Sequence, residues 1–182
     1  MSYEGLPAGR QGFTLMEILI AVMIMSIVTA VGLTSFNFSL QKSRDSQRKS
    51  DLALLTKALQ AYANDFGHFP SDDGSGGILG CDYDNSVKDG GAFQKCTNAS
   101  SFSVYLNGGQ QVYLPKVPSE PLGDYKYYYI KNGTTGFSLF SILENTKDTF
   151  YSVDAGIDYG PNTIYCGTSE LCHYEVTEGG AK

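Results

Sequence analysis

Basic residues are scarce in this sequence. Its 182 residues include 13 lysines and arginines against 19 aspartates and glutamates, which gives a formal net charge of −6. Proteins that bind nucleic acid without regard to sequence depend on clustered Lys and Arg side chains. We therefore expect no nucleic-acid partner.

Histidine is scarcer still, with two residues in the whole chain. The sequence also lacks the GxSxG, HExxH, P-loop and Rossmann patterns that mark common hydrolase and nucleotide sites. Acid–base chemistry at neutral pH relies most often on histidine. We expect no enzyme, no catalytic residue and no cofactor.

Charge is almost absent from one long segment, residues 13–33, "FTLMEILIAVMIMSIVTAVGL", in which Glu17 is the only ionisable side chain. Twenty or so apolar residues in a helix cross a hydrocarbon core of about 30 Å. The segment therefore predicts a transmembrane helix. A carboxylate inside such a helix costs about 2.5 to 3.5 kcal/mol at mid-membrane, so it is usually retained for a partner.

Residues 1–12, "MSYEGLPAGRQG", precede this segment and are polar and rich in glycine. They predict a short leader and not a helix. An ordinary secretory signal is cleaved after its apolar core, whereas the residues after this span offer only weak cleavage sites. We expect the span to be retained.

A leader ending in Gly12 followed by "FTLMEILIAVMIMSIV" resembles the amino terminus of type IV pilins and type II secretion pseudopilins. The resemblance implies that a prepilin peptidase cuts between Gly12 and Phe13 and that Phe13 is then methylated. It implies that Glu17 meets the terminal amine of Phe13 in a neighbouring subunit. It also implies other pilins, membrane lipid and an inner-membrane assembly platform with its ATPase as partners.

Four cations follow the span, and they conflict with the orientation that this resemblance implies. We interpret them as a solvated helix face near lipid headgroups. The positive-inside rule alone would place them in the cytoplasm. We instead expect a cytoplasmic amino terminus, with the carboxy-terminal domain outside the cytoplasm and later in a periplasmic or extracellular filament. The four residues are Lys42, Arg44, Arg48 and Lys49.

The four cysteines support that orientation, because they all lie beyond the span in loop-like sequence typical of an oxidising compartment. Sequential pairing, Cys81 with Cys96 and Cys166 with Cys172, is the simplest of three connectivities. A metal site is the alternative, but the spacings are not CxxC and the histidines complete no zinc pattern. We expect two disulfides and no metal.

The helical pattern continues beyond the span. Apolar residues at spacings of 3, 4, 3 and 4 form one stripe, and "DFGHFP" then ends the helix at Gly67 and Pro70. The segment also resembles the pilin family, in which a basic and then leucine-rich stretch ends in an aromatic and "FP". We predict one helix over residues 13–66. The stripe residues are Leu52, Leu55, Leu59, Tyr62 and Phe66.

Residues 67–182 are expected to form one globular domain. Residues 71–124 predict a long connection, in which "FSVYLNGG" or "QVYLPKVP" contributes a helical turn or a short strand. Three strands are predicted at 125–130, 136–143 and 149–153, with Asn132-Gly133 in a hairpin turn. The remaining tail is expected to wrap the sheet edge. The predicted fold is therefore α+β: a long amino-terminal helix, transmembrane in its first half, packed on a small antiparallel sheet, as in pilins.

One further pattern, "CDYDNSVKDGG", invites a calcium site through Asp82, Asp84 and Asp89, but it lacks the glycine and terminal glutamate of an EF-hand loop. We do not predict a metal there.

Two functions fit the sequence. The first is a structural subunit of a type IV pilus or a type II secretion pseudopilus, assembled from the inner membrane. The alternative is a membrane-anchored extracytoplasmic module that binds polysaccharide or DNA through exposed tyrosines. The span and Glu17 favour the first, and the absence of catalytic patterns counts against a membrane-anchored enzyme.

Overall fold

The computed structural model describes the backbone of residues 12–81, 83–84, 94–96, 100–106, 109–153 and 163–181, and it leaves out the side chains of 31–35, 83–84, 94 and 106. The chain forms two compact units, residues 1–40 and residues 41–182, called here the amino-terminal and carboxy-terminal units.

Helix α1, Leu15–Phe66, is 52 residues long and begins two residues after the predicted start. It ends where the sequence predicts. Gly67 follows it with a φ of 74°, and its N–H donates to the Ala63 carbonyl at 2.8 Å. This left-handed conformation is readily available to glycine, which has no Cβ, so Gly67 stops the helix.

The predicted apolar stripe of α1 forms the centre of the core. Four of its members are at most 3% exposed, while Phe66 is partly buried against them. Phe102 and Phe137 from the strands belong to the same buried cluster. The 3.6-residue period had predicted this face correctly. The four buried members are Leu52, Leu55, Leu59 and Tyr62.

The largest sheet has four antiparallel strands in the order β10-β9-β8-β7. Strands β7, Tyr128–Asn132, and β8, Gly136–Ser141, form the predicted hairpin, with Asn132 opposite Gly136 and a φ of 65° at Gly133. Strands β9, Tyr174–Thr177, and β10, Gly180–Ala181, complete the sheet. The antiparallel sheet and the α+β class are confirmed.

The third predicted strand, residues 149–153, is wrong. Asp148 Oδ1 accepts the N–H of Phe150 at 3.0 Å, and the Asp148 carbonyl accepts the N–H of Tyr151 at 3.1 Å. These local bonds hold the chain in turns and compete with sheet pairing. Strand β9 takes the place beside β8, with Val176 opposite Leu139.

All six residues of β8 are buried, because both faces of this strand are covered. Phe137 and Leu139 belong to the core with α1, while Phe140 lies on the other face in a second cluster with Ile164 and the Cys166–Cys172 pair. The tail is expected from the sequence to wrap the sheet edge, and its described residues do more than that. The tail adds two strands and covers the outer face.

The connection before this sheet contains short strands. One small sheet has the order β1-β2-β4 and is antiparallel. The other has the order β3-β5-β6, with β3 parallel to β5 and β5 antiparallel to β6. The strand alternative for the two apolar stretches is thus confirmed. The bounds are β1 Ser71–Asp72, β2 Ile78–Cys81, β3 Tyr83–Asp84, β4 Gln94–Lys95, β5 Phe102–Leu106 and β6 Gly109–Leu114.

Both predicted disulfides are present. Cys81 and Cys96 lie 5.0 Å apart between their Cα atoms, and Cys166 and Cys172 lie 5.1 Å apart. The first joins the end of β2 to the residue after β4. The second lies in the outer cluster, just before β9.

We expect the two disulfides to differ in their contribution to stability. The first closes 15 residues and the second 6. On the chain-entropy model their removal costs about 3 and about 2 kcal/mol. Urea unfolding of Cys81→Ala/Cys96→Ala and of Cys166→Ala/Cys172→Ala, each against the oxidised wild type, measures both values. A larger loss for the second pair would show that packing of the outer cluster outweighs loop closure.

Candidate assembly site

The amino end of α1 is closed by Thr14 and Glu17. The Thr14 carbonyl accepts the first helical bond, from the N–H of Ile18 at 3.3 Å. Glu17 Oε2 accepts from the Thr14 N–H and from Thr14 Oγ1, both at 3.0 Å, and the Glu17 N–H donates to Thr14 Oγ1 at 3.2 Å. This is a reciprocal capping box, which satisfies donors at a helix start.

Sequence reasoning missed this capping role, although the signal was present as Thr-x-x-Glu before an apolar run. Both bonds from Thr14 go to Oε2 of Glu17. Within the described part of the chain, Oε1 accepts no bond. The predicted pairing of Glu17 with a neighbour's Phe13 amine stays a prediction.

The predicted cleavage junction lies just before this cap. Gly12 is exposed, and a Cβ placed on it would meet no atom of the described residues within 4 Å. The Phe13 side chain is 82% exposed. Among the described residues the junction thus lies next to the cap without close neighbours at Gly12, and its processing role stays a prediction.

The helix that follows is apolar all round. Its large apolar side chains between Phe13 and Val28 are all 47% exposed or more. A helix that is hydrophobic on every side is normally buried in a membrane or among other chains. Burial of these apolar side chains therefore requires lipid or other protein chains.

Among the residues whose side chains are described, a set that omits 31–35, no helix is both long enough and apolar enough to cross a membrane.

A buried ion cluster lies in the carboxy-terminal unit, around Arg48, whose side chain is fully buried. Arg48 Nε donates to Glu120 Oε1 at 2.5 Å. Its Nη1 donates to Asp45 Oδ1 at 2.7 Å and to Glu144 Oε1 at 2.8 Å. Arg44 forms a two-point bond with the same Glu144, through Nε and Nη2. We call these five residues the Arg48 cluster.

The acids of the Arg48 cluster also bond to backbone. Asp45 accepts the N–H groups of Glu144 and Asn145 at 3.0 and 2.9 Å. Glu120 Oε2 accepts the N–H of Leu122 at 2.6 Å. The cluster therefore fixes α1 to two separate segments, the one after β6 and the one after β8.

The predicted solvated basic face is wrong for three of its four cations. Arg48 is buried, Arg44 is bound to Glu144, and Lys49 Nζ donates to Asp148 Oδ1 at 2.6 Å. Only Lys42 is described as exposed. The error arose because all the partner acids except Asp45 lie 72 to 100 positions away in sequence.

These ion pairs also lower the pKa values of two acids, Glu144 and Asp148. Bonds from Arg44 and Arg48 outweigh burial and lower the pKa of Glu144. At Asp148, burial is the largest single effect and favours the neutral acid, but the bonds from Lys49 and from the Phe150 N–H, with the nearby positive charges, together outweigh it and lower the pKa. Both carboxylates are thus held in the charged form that the cations require.

No group of three metal-ligating side chains occurs among the described residues. Of the weighed calcium ligands, Asp82 and Asp89 lie outside the described residues, and Asp84 is described in backbone only.

Comparison with known proteins adds two findings. The prokaryotic N-terminal methylation motif matches residues 7–33, which include Gly12, Phe13 and Glu17. The type II secretion system core protein G of Pseudomonas aeruginosa is 27% identical over 149 residues, covering 81% of this chain and 93% of that protein. No solved structure matches the chain. The motif at the capped helix start, and a relative matched over 93% of its own length, support a type IV pilin or type II secretion pseudopilin family for this chain.

Proposed function

We propose that this protein is a structural subunit of a filament, a type IV pilus or a type II secretion pseudopilus. The observation that carries the proposal is the helix start, where a capped helix with exposed apolar side chains follows directly on the Gly12-Phe13 junction. Such a helix buries its surface only when lipid or other copies surround it. A filament core supplies those copies, and the membrane holds the subunit before assembly.

In this proposal residues 1–12 are a leader, residues 13–66 are the long helix with its span at 13–33, and residues 67–182 form the globular domain. The leader is removed between Gly12 and Phe13 by a prepilin peptidase, and Phe13 is methylated. The amino terminus faces the cytoplasm. The domain, with its two disulfides, lies in an oxidising compartment on the other side of the inner membrane.

Glu17 has two tasks in this account. Oε2 caps its own helix through Thr14, which leaves Oε1 for the charged amine of a neighbour's Phe13. An ion pair between subunits makes the carboxylate tolerable in an apolar environment. Assembly by an inner-membrane platform and its ATPase then brings the two charges together.

A sheared-fibre experiment tests the proposal against the membrane-anchored binding module. Cells producing the protein are sheared and the released fibres are separated from membranes. Where the fibre is a short periplasmic pseudopilus, overproduction of the subunit is used to lengthen it. A subunit appears in the fibre fraction, whereas recovery in the membrane fraction alone under both conditions would favour the anchored module.

A further inference from the structure

The four cations after the apolar segment are close enough to it in sequence to bind lipid headgroups. They lie 9 to 16 residues beyond Leu33, within the range where cations attract anionic headgroups. We propose that this basic segment, residues 42–49, binds anionic phospholipid only while the carboxy-terminal unit is unfolded. Folding ends this binding because the cations then form ion pairs with acids of the domain. The inference rests on the proposed membrane anchoring.

The closing contacts come from distant parts of the chain. Arg48 bonds to Glu120 across 72 positions, and Arg44 bonds to Glu144 across 100. Lys49 reaches Asp148 across 99 positions and also lies over the Phe150 ring, 4.9 Å from its centroid. None of these acids is near the basic segment until the domain has folded.

The unfolded segment has a different charge. Without the distant acids, the four cations of residues 42–49 face only two nearby acids, Asp45 within the segment and Asp51 just after it. That leaves a net positive stretch beside the membrane, which attracts anionic lipid. In the folded unit Arg48 is fully buried and the side chains of Arg44 and Lys49 are only 29% and 27% exposed. Folding therefore removes most of the lipid-binding charge.

Binding to anionic lipid and folding of the carboxy-terminal unit then compete for the same cations. A ligand that binds the unfolded chain better than the folded chain lowers the apparent stability, and one that prefers the folded chain raises it. The direction in which anionic lipid changes the apparent stability therefore distinguishes two cases. It falls if the segment binds lipid only when unfolded, and it rises if the segment still binds lipid in the folded unit.

The test measures urea unfolding of the full-length protein, disulfides intact, in nanodiscs of phosphatidylcholine alone or with phosphatidylglycerol, followed by tyrosine fluorescence. We expect the midpoint to be lower in the anionic nanodiscs by on the order of 1 M urea. The difference should collapse in high salt, because exposed charges are screened.

Two charge-matched variants complete the experiment. Arg44→Gln/Lys49→Gln leaves Arg48 in place and should reduce the lipid-dependent difference to less than half. Lys57→Gln/Lys116→Gln removes two exposed cations elsewhere and should retain it in full. A midpoint that is equal in both lipids, or higher in the anionic one, would overturn the inference. If carbonate extracted the chain from membranes, the proposed membrane anchoring would be wrong.

Discussion

Replacing Arg48 with methionine is expected to lower the free energy of unfolding of the carboxy-terminal unit by about 3 to 5 kcal/mol. Removal of one partner from a buried ion pair leaves charge behind without compensation. Here the charges left behind belong to Asp45, Glu120 and Glu144, and the first two are at most 8% exposed. Methionine keeps much of the volume, so the loss reports the charge and not a cavity.

The matched control is Lys49→Met, which removes a cation whose side chain is 27% exposed. The Lys49–Asp148 pair is partly exposed, so water screens it more than the fully buried Arg48 pairs, and this variant should cost clearly less than Arg48→Met. The urea midpoints of the two variants give the comparison. Equal effects would mean that Arg48 is no more important than a partly exposed cation.

The Arg48→Met effect should also depend on pH. The pKa of Glu144 is lowered in the folded protein, so its pairing stabilises the fold above the ordinary pKa of 4.5 and is lost as pH falls through the lowered value. The difference between wild type and variant is therefore expected to shrink in acid. A difference that does not change while Glu144 is titrated in acid would contradict the role of ionised Glu144.

Replacing Glu17 with glutamine should leave processing and folding intact and strongly reduce filament assembly. Glutamine also suits the capping box, so the bonds with Thr14 are kept while the charge is lost. The neighbour's Phe13 amine would then enter an apolar environment without a counter-charge. Breaking such a pair costs about 3 to 5 kcal/mol, about two orders of magnitude or more in an assembly equilibrium.

Thr14→Val separates the two tasks of Glu17, because it removes the Thr14 hydroxyl and keeps the carboxylate. Loss of a cap costs about 1 kcal/mol, so assembly should fall much less than in Glu17→Gln. The amount of subunit in sheared fibres, relative to the membrane pool, measures both variants. If the two were reduced equally, capping alone would explain Glu17.

The elements that sequence predicts well are those with local signals. The stripe of α1 repeats every 3.6 residues, Gly67 marks its end, and Asn132-Gly133 marks the hairpin. The sequential cysteine pairs were also predicted, because short loops are the simplest to close. Each of these signals lies within a few residues of the structure that it predicts.

The elements that sequence misses depend on distant partners. The sequence predicts Arg48 to be a surface cation, because nothing local shows that Glu120 and Glu144 lie beside it in the fold. The aromatic run at 149–153 has strand propensity, but bonds to Asp148 turn it, and β9 fills the sheet instead. The Thr14–Glu17 box is a local signal, but the sequence interpretation assigned Glu17 only to a contact between subunits.

In the proposed function this chain is cleaved, methylated and built into a filament. Mass spectrometry of the amino-terminal peptide from sheared fibres tests all three steps. We expect a peptide that begins at Phe13 and carries one additional methyl group. A fibre fraction without this protein, or a chain that begins at Met1 or near Ser35, would contradict it.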